Sequence, residues 1–279
     1  MGVTWREHAR AVAALEAVAA RPAPERADAA ADFTLTLNAF RRPENIPLLT
    51  HLALATPSVR EVVISHNDPS IPLPLAPHPR VRVVRRDGPY GPIGRYSVAL
   101  EARTDLFLSV DDDLFLHPDQ LERLAEEARG DASAPHGFYG QLFDGRRFRY
   151  NRGRSDGRVD VLNRAYAFTR EHLDRYCALL DLLGLSERER RRLTMDDVVL
   201  AFCGAERPRA HDLGPHVDCP TEHDQRIAIF RRRGEHARRA ALYARLEGLV
   251  TRRRGGPDAL PIRDPRSPRR LPLWRVLSA

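Results

Sequence analysis

The feature that most limits the fold of this chain is an apolar run that stops at three carboxylates, Leu106-Phe107-Leu108-Ser109-Val110-Asp111-Asp112-Asp113. A run of this length, rich in β-branched and aromatic residues, is typical of a buried strand. Three adjacent carboxylates at a strand end repel one another unless a cation or hydrogen-bond donors compensate their charge. Such oxygen ligands suit Mg²⁺ or Mn²⁺ together with a phosphate-bearing substrate. A solvated acidic turn that caps the next helix explains the local pattern equally well.

The positive charge of the chain comes almost entirely from arginine. At 279 residues the chain can bury a full core, and its formal net charge is +7 without a single lysine. Arginine forks bind phosphate and carboxylate groups, so an anionic ligand is expected, although genome base composition explains the bias equally well. Zinc-finger spacing, RNP-like aromatic runs and basic zippers are missing from the sequence. We therefore expect no nucleic-acid partner.

The cysteines and the apolar runs indicate where the protein works. Cys177, Cys203 and Cys219 are odd in number and widely spaced, which favours a reducing compartment over a disulfide framework. Charged residues interrupt the N-terminal stretch, and no apolar run approaches the length of a membrane helix. The sequence thus predicts a cytoplasmic protein without a transmembrane segment and leaves a peripheral membrane contact open.

Strand-like and helix-like segments alternate in the first half of the chain. Such alternation predicts a parallel sheet with crossover helices, in which ligands bind at the carboxyl ends of the strands. The expected strands are 33–37, 61–65, 81–84 and 106–110. Asn38, Arg42, Asn67 and the three aspartates all follow strand ends. Their shared location favours one binding site.

The second half is expected to be of mixed character. Helices are predicted at 118–129, 171–183 and 235–250, with strands at 137–143, 147–150 and 165–168. Thr194 is a suitable N-cap that would place Asp196 and Asp197 in the first turn of a helix. Stabilisation of the helix dipole explains this acidic pair as well as a catalytic role does.

An ordered series of motifs then resembles the exostosin-like glycosyltransferases. The series consists of Leu37-Asn38-Ala39-Phe40-Arg41-Arg42, Val62-Val63-Ile64-Ser65-His66-Asn67, Arg95, Leu108-Ser109-Val110-Asp111-Asp112-Asp113 and Asp196-Asp197-Val198-Val199-Leu200-Ala201-Phe202. The resemblance extends from about Phe33 to Leu246 and implies the GT-A fold for nucleotide-diphospho-sugars. This α/β fold has a Rossmann-like mixed central sheet with helices on both faces.

The same resemblance implies roles for the residues around the donor. Asp113 would coordinate Mn²⁺ (or Mg²⁺) that bridges the two phosphates of a UDP-sugar, while Asp111 and Asp112 would face ribose and sugar hydroxyls. Arg95 matches a position that contacts the nucleotide sugar near the diphosphate. The loop from Asn38 to Arg42, together with Asn67, would contact the uracil and ribose side. Capping, turn and surface roles explain each of these residues taken singly.

On the acceptor side, Asp197 resembles an acidic residue beside the sugar and the acceptor, with Asp196 adjacent. His236 resembles a late histidine that approaches the diphosphate; the surrounding arginines are equally typical of a solvated helix face. The family implies retention of the anomeric configuration.

The predicted organisation has three parts. Residues 1–30 form a helical appendage, residues 31–250 a GT-A domain with a nucleotide-binding half (31–116) and an acceptor-side half (117–250), and residues 251–279 an Arg/Pro-rich tail. The predicted function is a metal-dependent hexosyltransferase that moves a sugar, such as an N-acetylhexosamine, from a UDP-sugar to an unknown glycan or small-molecule acceptor. Alternatives are a metal-dependent nucleotidyltransferase and a non-catalytic protein that binds nucleotide sugar or an anionic polymer.

Overall fold

A computed structural model of the chain describes residues 5–88, 90–151, 156–221, 224 and 229–254. The strands are β1 (Phe33–Ala39), β2 (Val59–His66), β3 (Val81–Arg85), β4 (Leu106–Val110), β5 (Leu114–Phe115), β6 (His136–Phe143), β7 (Phe148–Asn151), β8 (Gly157–Arg158), β9 (Val161–Thr169), β10 (Arg209–Ala210) and β11 (Val217–Asp218). The helices are α1 (Trp5–Ala19), α2 (Ile46–Leu54), α3 (Gly94–Ala99), α4 (Pro118–Gly130), α5 (Arg170–Leu182), α6 (Glu187–Arg191), α7 (Asp196–Leu200) and α8 (Glu235–Arg254).

The main sheet is mixed. Its strand order is β3-β2-β1-β4-β9-β6-β10-β8, with β7 paired to β6. Strands β3, β2, β1 and β4 are parallel, as the alternation of the first half predicts. Strand β9 is antiparallel to both β4 and β6. Strands β5 and β11 form a separate antiparallel pair.

Helices cover both faces of this sheet. Side chains alternate along β4, so that Leu108 and Val110 join a core with α2 and α4, whereas Phe107 joins a core with α3, α5, α7 and α8. The aromatic rings of Tyr96, Phe107, Phe168 and Tyr176 stack within this second core. The predicted α/β class, a mixed central sheet with helices on both faces, is thereby confirmed.

Two helix ends differ from the sequence prediction. Helix α7 has Met195 as its N-cap, without a side-chain capping bond. The hydroxyl of Thr194 instead donates to Oε1 of Glu235 at 2.6 Å, so a contact between distant segments replaces the predicted local cap. Helix α8 continues to Arg254, past the expected end at residue 250. The rest of the predicted tail, 255–279, lies outside the described residues.

Helix α1 is held to the domain along one side. Leu15 is buried in the same core as α2, and Nε2 of His51 lies 3.1 Å from the carbonyl oxygen of Val18. In the described segments, no helix has both the length and the apolar character that crossing a membrane requires.

Candidate functional site

The polar residues expected at the site lie at one edge of the main sheet. Leu37 on β1 pairs with Ile64 on β2 and with Val110 on β4. Because these three strands are parallel, the segments that follow them leave the sheet side by side. The residues gathered at this edge are Asn38, Arg42, Asn67, Arg95, Asp111, Asp112 and Asp113.

The two asparagines support a neighbouring loop. Nδ2 of Asn38 donates to the carbonyl of Pro92 at 2.8 Å, and Nδ2 of Asn67 donates to Gly91 and to Oδ1 of Asn38, each at 3.1 Å. A Cβ at Gly94 would lie 2.6 Å from Oδ1 of Asn67, so this close approach requires glycine. The buried amides therefore fix the backbone of residues 90–94 against β1 and β2.

Arg95 connects the aspartates after β4 with those of α7. Its Nη2 lies 2.6 Å from Oδ1 of Asp111, and its Nε lies 3.3 Å from Oδ2 of Asp196. The guanidinium is buried and lies over the ring of Tyr166, 5.3 Å from the centroid. Burial alone would lower the pKa of Arg95, but the two carboxylates outweigh it and hold the pKa well above its usual value. Arg95 is therefore a permanent cation shared by two acidic clusters.

Arg42 is the neighbouring cation of the other two aspartates of the triplet. Its Nη1 lies 2.7 Å from Oδ1 of Asp112 and 3.1 Å from Oδ2 of Asp113. Its Nη2 and Nε donate to the backbone carbonyl and the hydroxyl of Thr221, each at 3.1 Å. Burial raises the pKa of Asp112 to about 7 against the charge of Arg42, and Asp113 adds to the rise. The triplet thus has more negative charge than Arg42 alone balances.

Arg164 on β9 approaches the triplet from the opposite side. Its Nη2 lies 3.3 Å from Oδ1 of Asp113, and its Nη1 lies 2.7 Å from Oδ1 of Asp218. The backbone of Arg164 has a φ of 70°, a conformation that non-glycine residues rarely adopt, and its carbonyl accepts the N–H of Asp111 at 2.7 Å. Burial opposes the ionisation of Asp218, but the hydrogen bond from His216 and the charge of Arg164 lower its pKa to about 2.

Asp197 is held by an arginine of α8. Nη1 and Nη2 of Arg239 donate to its two carboxylate oxygens at 2.7 and 2.5 Å. The same guanidinium donates to Oε1 of Gln141 at 3.1 Å and to Oδ1 of Asn163 at 2.9 Å. Two parallel bonds from one fork fix the direction of a carboxylate as well as its charge. Asp197 is consequently oriented by β6, β9 and α8 together.

Asp196 is less completely satisfied than its neighbour. Its Oδ2 is buried and has no hydrogen-bond partner, although Nε of Arg95 lies 3.3 Å away. Burial raises the pKa of Asp196 to about 7 against the charge of Arg95, and Asp197 adds to the rise. A buried polar atom without a partner is rare in native proteins and marks a site of strain or function.

The charges of the site fit a divalent cation. The ion pairs of the site form three separate groups, which together contain six carboxylates (Asp111, Asp112, Asp113, Asp196, Asp197, Asp218) and four arginines (Arg42, Arg95, Arg164, Arg239). Fully ionised, this set carries two surplus negative charges. Carboxylate oxygens are the ligands that Mg²⁺ and Mn²⁺ prefer, and the buried, unbonded oxygen of Asp196 is a further sign of missing positive charge.

An open cleft of about 390 Å³ adjoins the loop that the asparagines support. Tyr90 lies in its wall, with the guanidinium groups of Arg86 and Arg191 at 5.0 and 5.3 Å from the ring centroid. The other wall comes from α6 and the residue after it. The lining residues are Asp87, Gly88, Tyr90, Glu187, Arg188, Arg191 and Arg192.

His236 lies at the N-terminal end of α8. It is exposed on the first turn of α8, next to Glu235, which is buried. Among the described residues, His236 forms no hydrogen bond or ion pair with the aspartates of the site.

Sequence reasoning missed three residues of the site. Arg164 and Asp218 lie in segments without a recognisable motif, and Arg239 is one of many arginines around α8. The sequence held one clue that a cation was missing, because the five aspartates of the two predicted acidic clusters need more positive charge than Arg42 and Arg95 supply. It did not indicate which of the other arginines supplies that charge.

Comparison with known proteins identifies the family. A profile of glycosyl transferase family 2 matches residues 38–181, just over half of the chain. No curated protein matches the sequence. One similar solved structure is CMP:2-keto-3-deoxy-manno-octonic acid synthetase complexed with CTP, at 15% identity and a TM-score of 0.43, covering 72% of this chain and 98% of that chain.

A second similar structure is GalNAc-T7 with UDP, GalNAc and Mn²⁺, at 11% identity and a TM-score of 0.48. The similarity covers 69% of this chain and 44% of the GalNAc-T7 chain, so this chain spans less than half of that protein. The family profile begins at Asn38, passes through all three aspartates after β4 and ends within α5. The chain therefore belongs to glycosyl transferase family 2 and has its GT-A fold.

Proposed function

We propose that this protein is a metal-dependent hexosyltransferase that moves a sugar, such as an N-acetylhexosamine, from a UDP-sugar to a glycan or small-molecule acceptor. The observation that carries the proposal is the side chain of Arg95, which contacts Asp111 after β4 and Asp196 on α7. These contacts support a single site in which the aspartates after β4 would face the donor and the acidic pair of α7 would face the acceptor.

On the donor side, Asp113 is the proposed ligand of Mn²⁺ or Mg²⁺, and Asp111 and Asp112 are proposed to bind ribose and sugar hydroxyls. When bound, the ion would supply electrostatic stabilisation of the departing diphosphate. Arg42 and Arg164, which flank Asp113, would share that charge with it. The position of both guanidinium groups is already fixed by other partners, so little reorganisation is needed during the reaction.

On the acceptor side, Asp197 is the proposed catalytic carboxylate, with Asp196 beside it. Its oxygens are held by Arg239, which would let the carboxylate orient an acceptor hydroxyl in one direction. The finer resemblance to exostosin-like transferases implies retention of the anomeric configuration. An NMR assignment of the anomeric proton in the first product formed tests this point directly.

The remaining residues take supporting roles in the proposal. Asn38 and Asn67 would position the loop 90–94 beside the nucleotide, and Tyr90 would line the place of the uridine. His236 is proposed to approach the diphosphate from the first turn of α8. Residues 31–116 would form the nucleotide-binding half and residues 117–250 the acceptor-side half, with 1–30 and 251–279 as appendages.

A thermal-shift experiment tests the donor site. UDP with Mn²⁺ is expected to raise the melting temperature, and UDP in EDTA is expected to leave it unchanged, because only a ligand that binds the native state stabilises it. CDP, GDP and ADP with Mn²⁺ provide matched controls for the base. A melting temperature that responds to none of these combinations would contradict the proposal.

A product assay separates the alternative functions. The protein is incubated with Mn²⁺ and a panel of UDP-hexoses, and release of UDP is measured by chromatography with and without candidate acceptors. Release of UDP supports the transferase. Formation of pyrophosphate from a nucleoside triphosphate and a sugar substrate would indicate a nucleotidyltransferase instead, and metal-dependent binding without turnover of any donor would indicate a binding protein.

A further inference from the structure

A second group of metal-ligating side chains lies outside the site described above. Glu127 on α4, His136 at the start of β6 and His211 just after β10 each offer one ligand atom, and these atoms lie within 4.8 Å of one another. Both imidazoles are buried, with 1% and 7% of their surface exposed. Two histidines and one carboxylate are a common set of zinc ligands in proteins.

The hydrogen bonds of His136 show which of its ring nitrogens carries the proton. Its Nε2 lies 2.7 Å from the carbonyl oxygen of Asp131, and a carbonyl can only accept, so Nε2 carries the proton. Its Nδ1 is therefore a bare lone pair, and it lies 2.8 Å from Nε2 of His211. A histidine whose second nitrogen donates to a backbone carbonyl has the arrangement that metal-bound histidines adopt.

Two carboxylates lie close to the ring of His211. Its Nδ1 lies 3.7 Å from Oε2 of Glu127 and 3.8 Å from Oδ1 of Asp156, both too far for a hydrogen bond. Metals bind a neutral imidazole through the ring nitrogen that carries no proton. These two carboxylates supply negative charge next to the paired histidines.

We propose that Nδ1 of His136, Nε2 of His211 and the carboxylate of Glu127 bind a divalent transition metal of the Zn²⁺ class. In the complex the neutral ring of His211 would carry its proton on Nδ1, which lies 3.8 Å from Oδ1 of Asp156, so that Nε2 can bind the metal. Tetrahedral coordination at a Zn–N distance of ~2.0–2.1 Å sets the two nitrogens about 3.3 Å apart, so they need to separate by about half an ångström.

The metal would have a structural role at the donor site. His211 begins the segment 211–221, whose Asp218 pairs with Arg164 and whose Cys219 donates its N–H to the carbonyl of Asp113 at 2.9 Å. Gln120 of α4 also donates to carbonyls of this segment at 2.6 and 2.9 Å. A metal that joins α4, β6 and the start of the segment would fix the position of the residues beside Asp113.

Metal content and Co²⁺ spectroscopy test the proposal. Protein treated with EDTA and dialysed is titrated with Zn²⁺ or Co²⁺ alone, without nucleotide. We expect one equivalent bound in the variant Asp113→Asn, with the intense visible bands of tetrahedral Co²⁺. The variants His136→Gln and His211→Gln are expected to lose this equivalent. Because the Asp113→Asn background removes the donor-site ligand, the result is independent of the proposed function.

The variant Glu127→Gln provides a test that does not disturb the core, since this side chain is 40% exposed. Its Zn²⁺ affinity is expected to fall at least about tenfold, while its circular dichroism in EDTA matches the wild type. Two outcomes would show that the cluster is only a hydrogen-bonded pair of histidines. One is a Co²⁺ complex without tetrahedral bands, and the other is an equal Zn²⁺ affinity in the wild type, His136→Gln and Glu127→Gln.

Discussion

The two acidic clusters of the site are neutralised in different ways. Asp111, Asp112 and Asp113 remain partly accessible and take their cations from α3, β9 and the loop after β1. Asp196 and Asp197 are buried, and Asp197 is held by both arms of one guanidinium. The first arrangement is the one that we propose for an exchangeable ion and a diphosphate. The second gives the carboxylate of Asp197 a single direction, which suits its proposed role beside the acceptor.

The largest effect is expected where the two clusters meet. Replacing Arg95 with Met removes the cation between Asp111 and Asp196 while it keeps much of the side-chain volume. Leaving buried carboxylates without their partner should cost about 3–5 kcal/mol of unfolding free energy, measured by urea denaturation. The exposed residue Arg147 supplies the control, since Arg147→Met should change stability by less than about 0.5 kcal/mol. Equal effects of the two substitutions would mean that the clusters are independent.

The next effect concerns the accessible cluster alone. The substitution Asp113→Asn should lower the affinity for UDP with Mn²⁺ about 100-fold or more, because it removes the proposed ligand charge without changing shape. Isothermal titration in the presence and absence of Mn²⁺ measures it. Asp119→Asn on α4, where the side chain is 90% exposed, is the matched control and should bind as the wild type does. Unchanged Mn²⁺-dependent binding of UDP by Asp113→Asn would show that Asp113 is not the metal ligand.

The buried cluster should make stability depend on pH. The pKa of Asp196 is raised to about 7 in the folded protein from an ordinary value near 3.8, so the folded state binds the extra proton between these pH values. Stability from this group is therefore complete below about pH 4 and is lost as the pH rises towards 7, at no more than about 1.4 kcal/mol per pH unit.

Urea denaturation of the wild type and Asp196→Asn from pH 4.5 to 8 measures this contribution. The free energy of unfolding should fall more steeply with rising pH in the wild type than in the variant. Parallel curves for the two proteins would show that Asp196 is ionised over the whole range.

The smallest effect separates charge from direction at Asp197. Arg239→Lys keeps the positive charge but loses the two parallel bonds of the fork. We expect kcat to fall about tenfold with the KM for the UDP-sugar unchanged, because the proposed donor contacts lie in the other cluster. Arg238→Lys, one residue earlier and more exposed, is the control. A changed KM in place of kcat would place Asp197 on the donor side.

Much of this fold follows from local patterns. The apolar run before Asp111 and the alternation of strands and helices predicted the four parallel strands β1 to β4 and the sheet edge at which the candidate site lies. These patterns are readable because periodicity depends on neighbouring residues. The prediction that Thr194 caps α7 was wrong because its hydroxyl bonds to Glu235, 41 residues away, and a pattern of neighbouring residues cannot show such a contact.

The tertiary structure decided which charges meet. The sequence by itself determined an α/β fold with three carboxylates at a strand end and an acidic pair at a helix start. It did not determine that Arg164 reaches Asp113, that Arg239 holds Asp197 or that His136 faces His211, contacts that span 51, 42 and 75 residues. Arginine side chains are long and this chain has many of them, so packing alone selects the partner of each carboxylate.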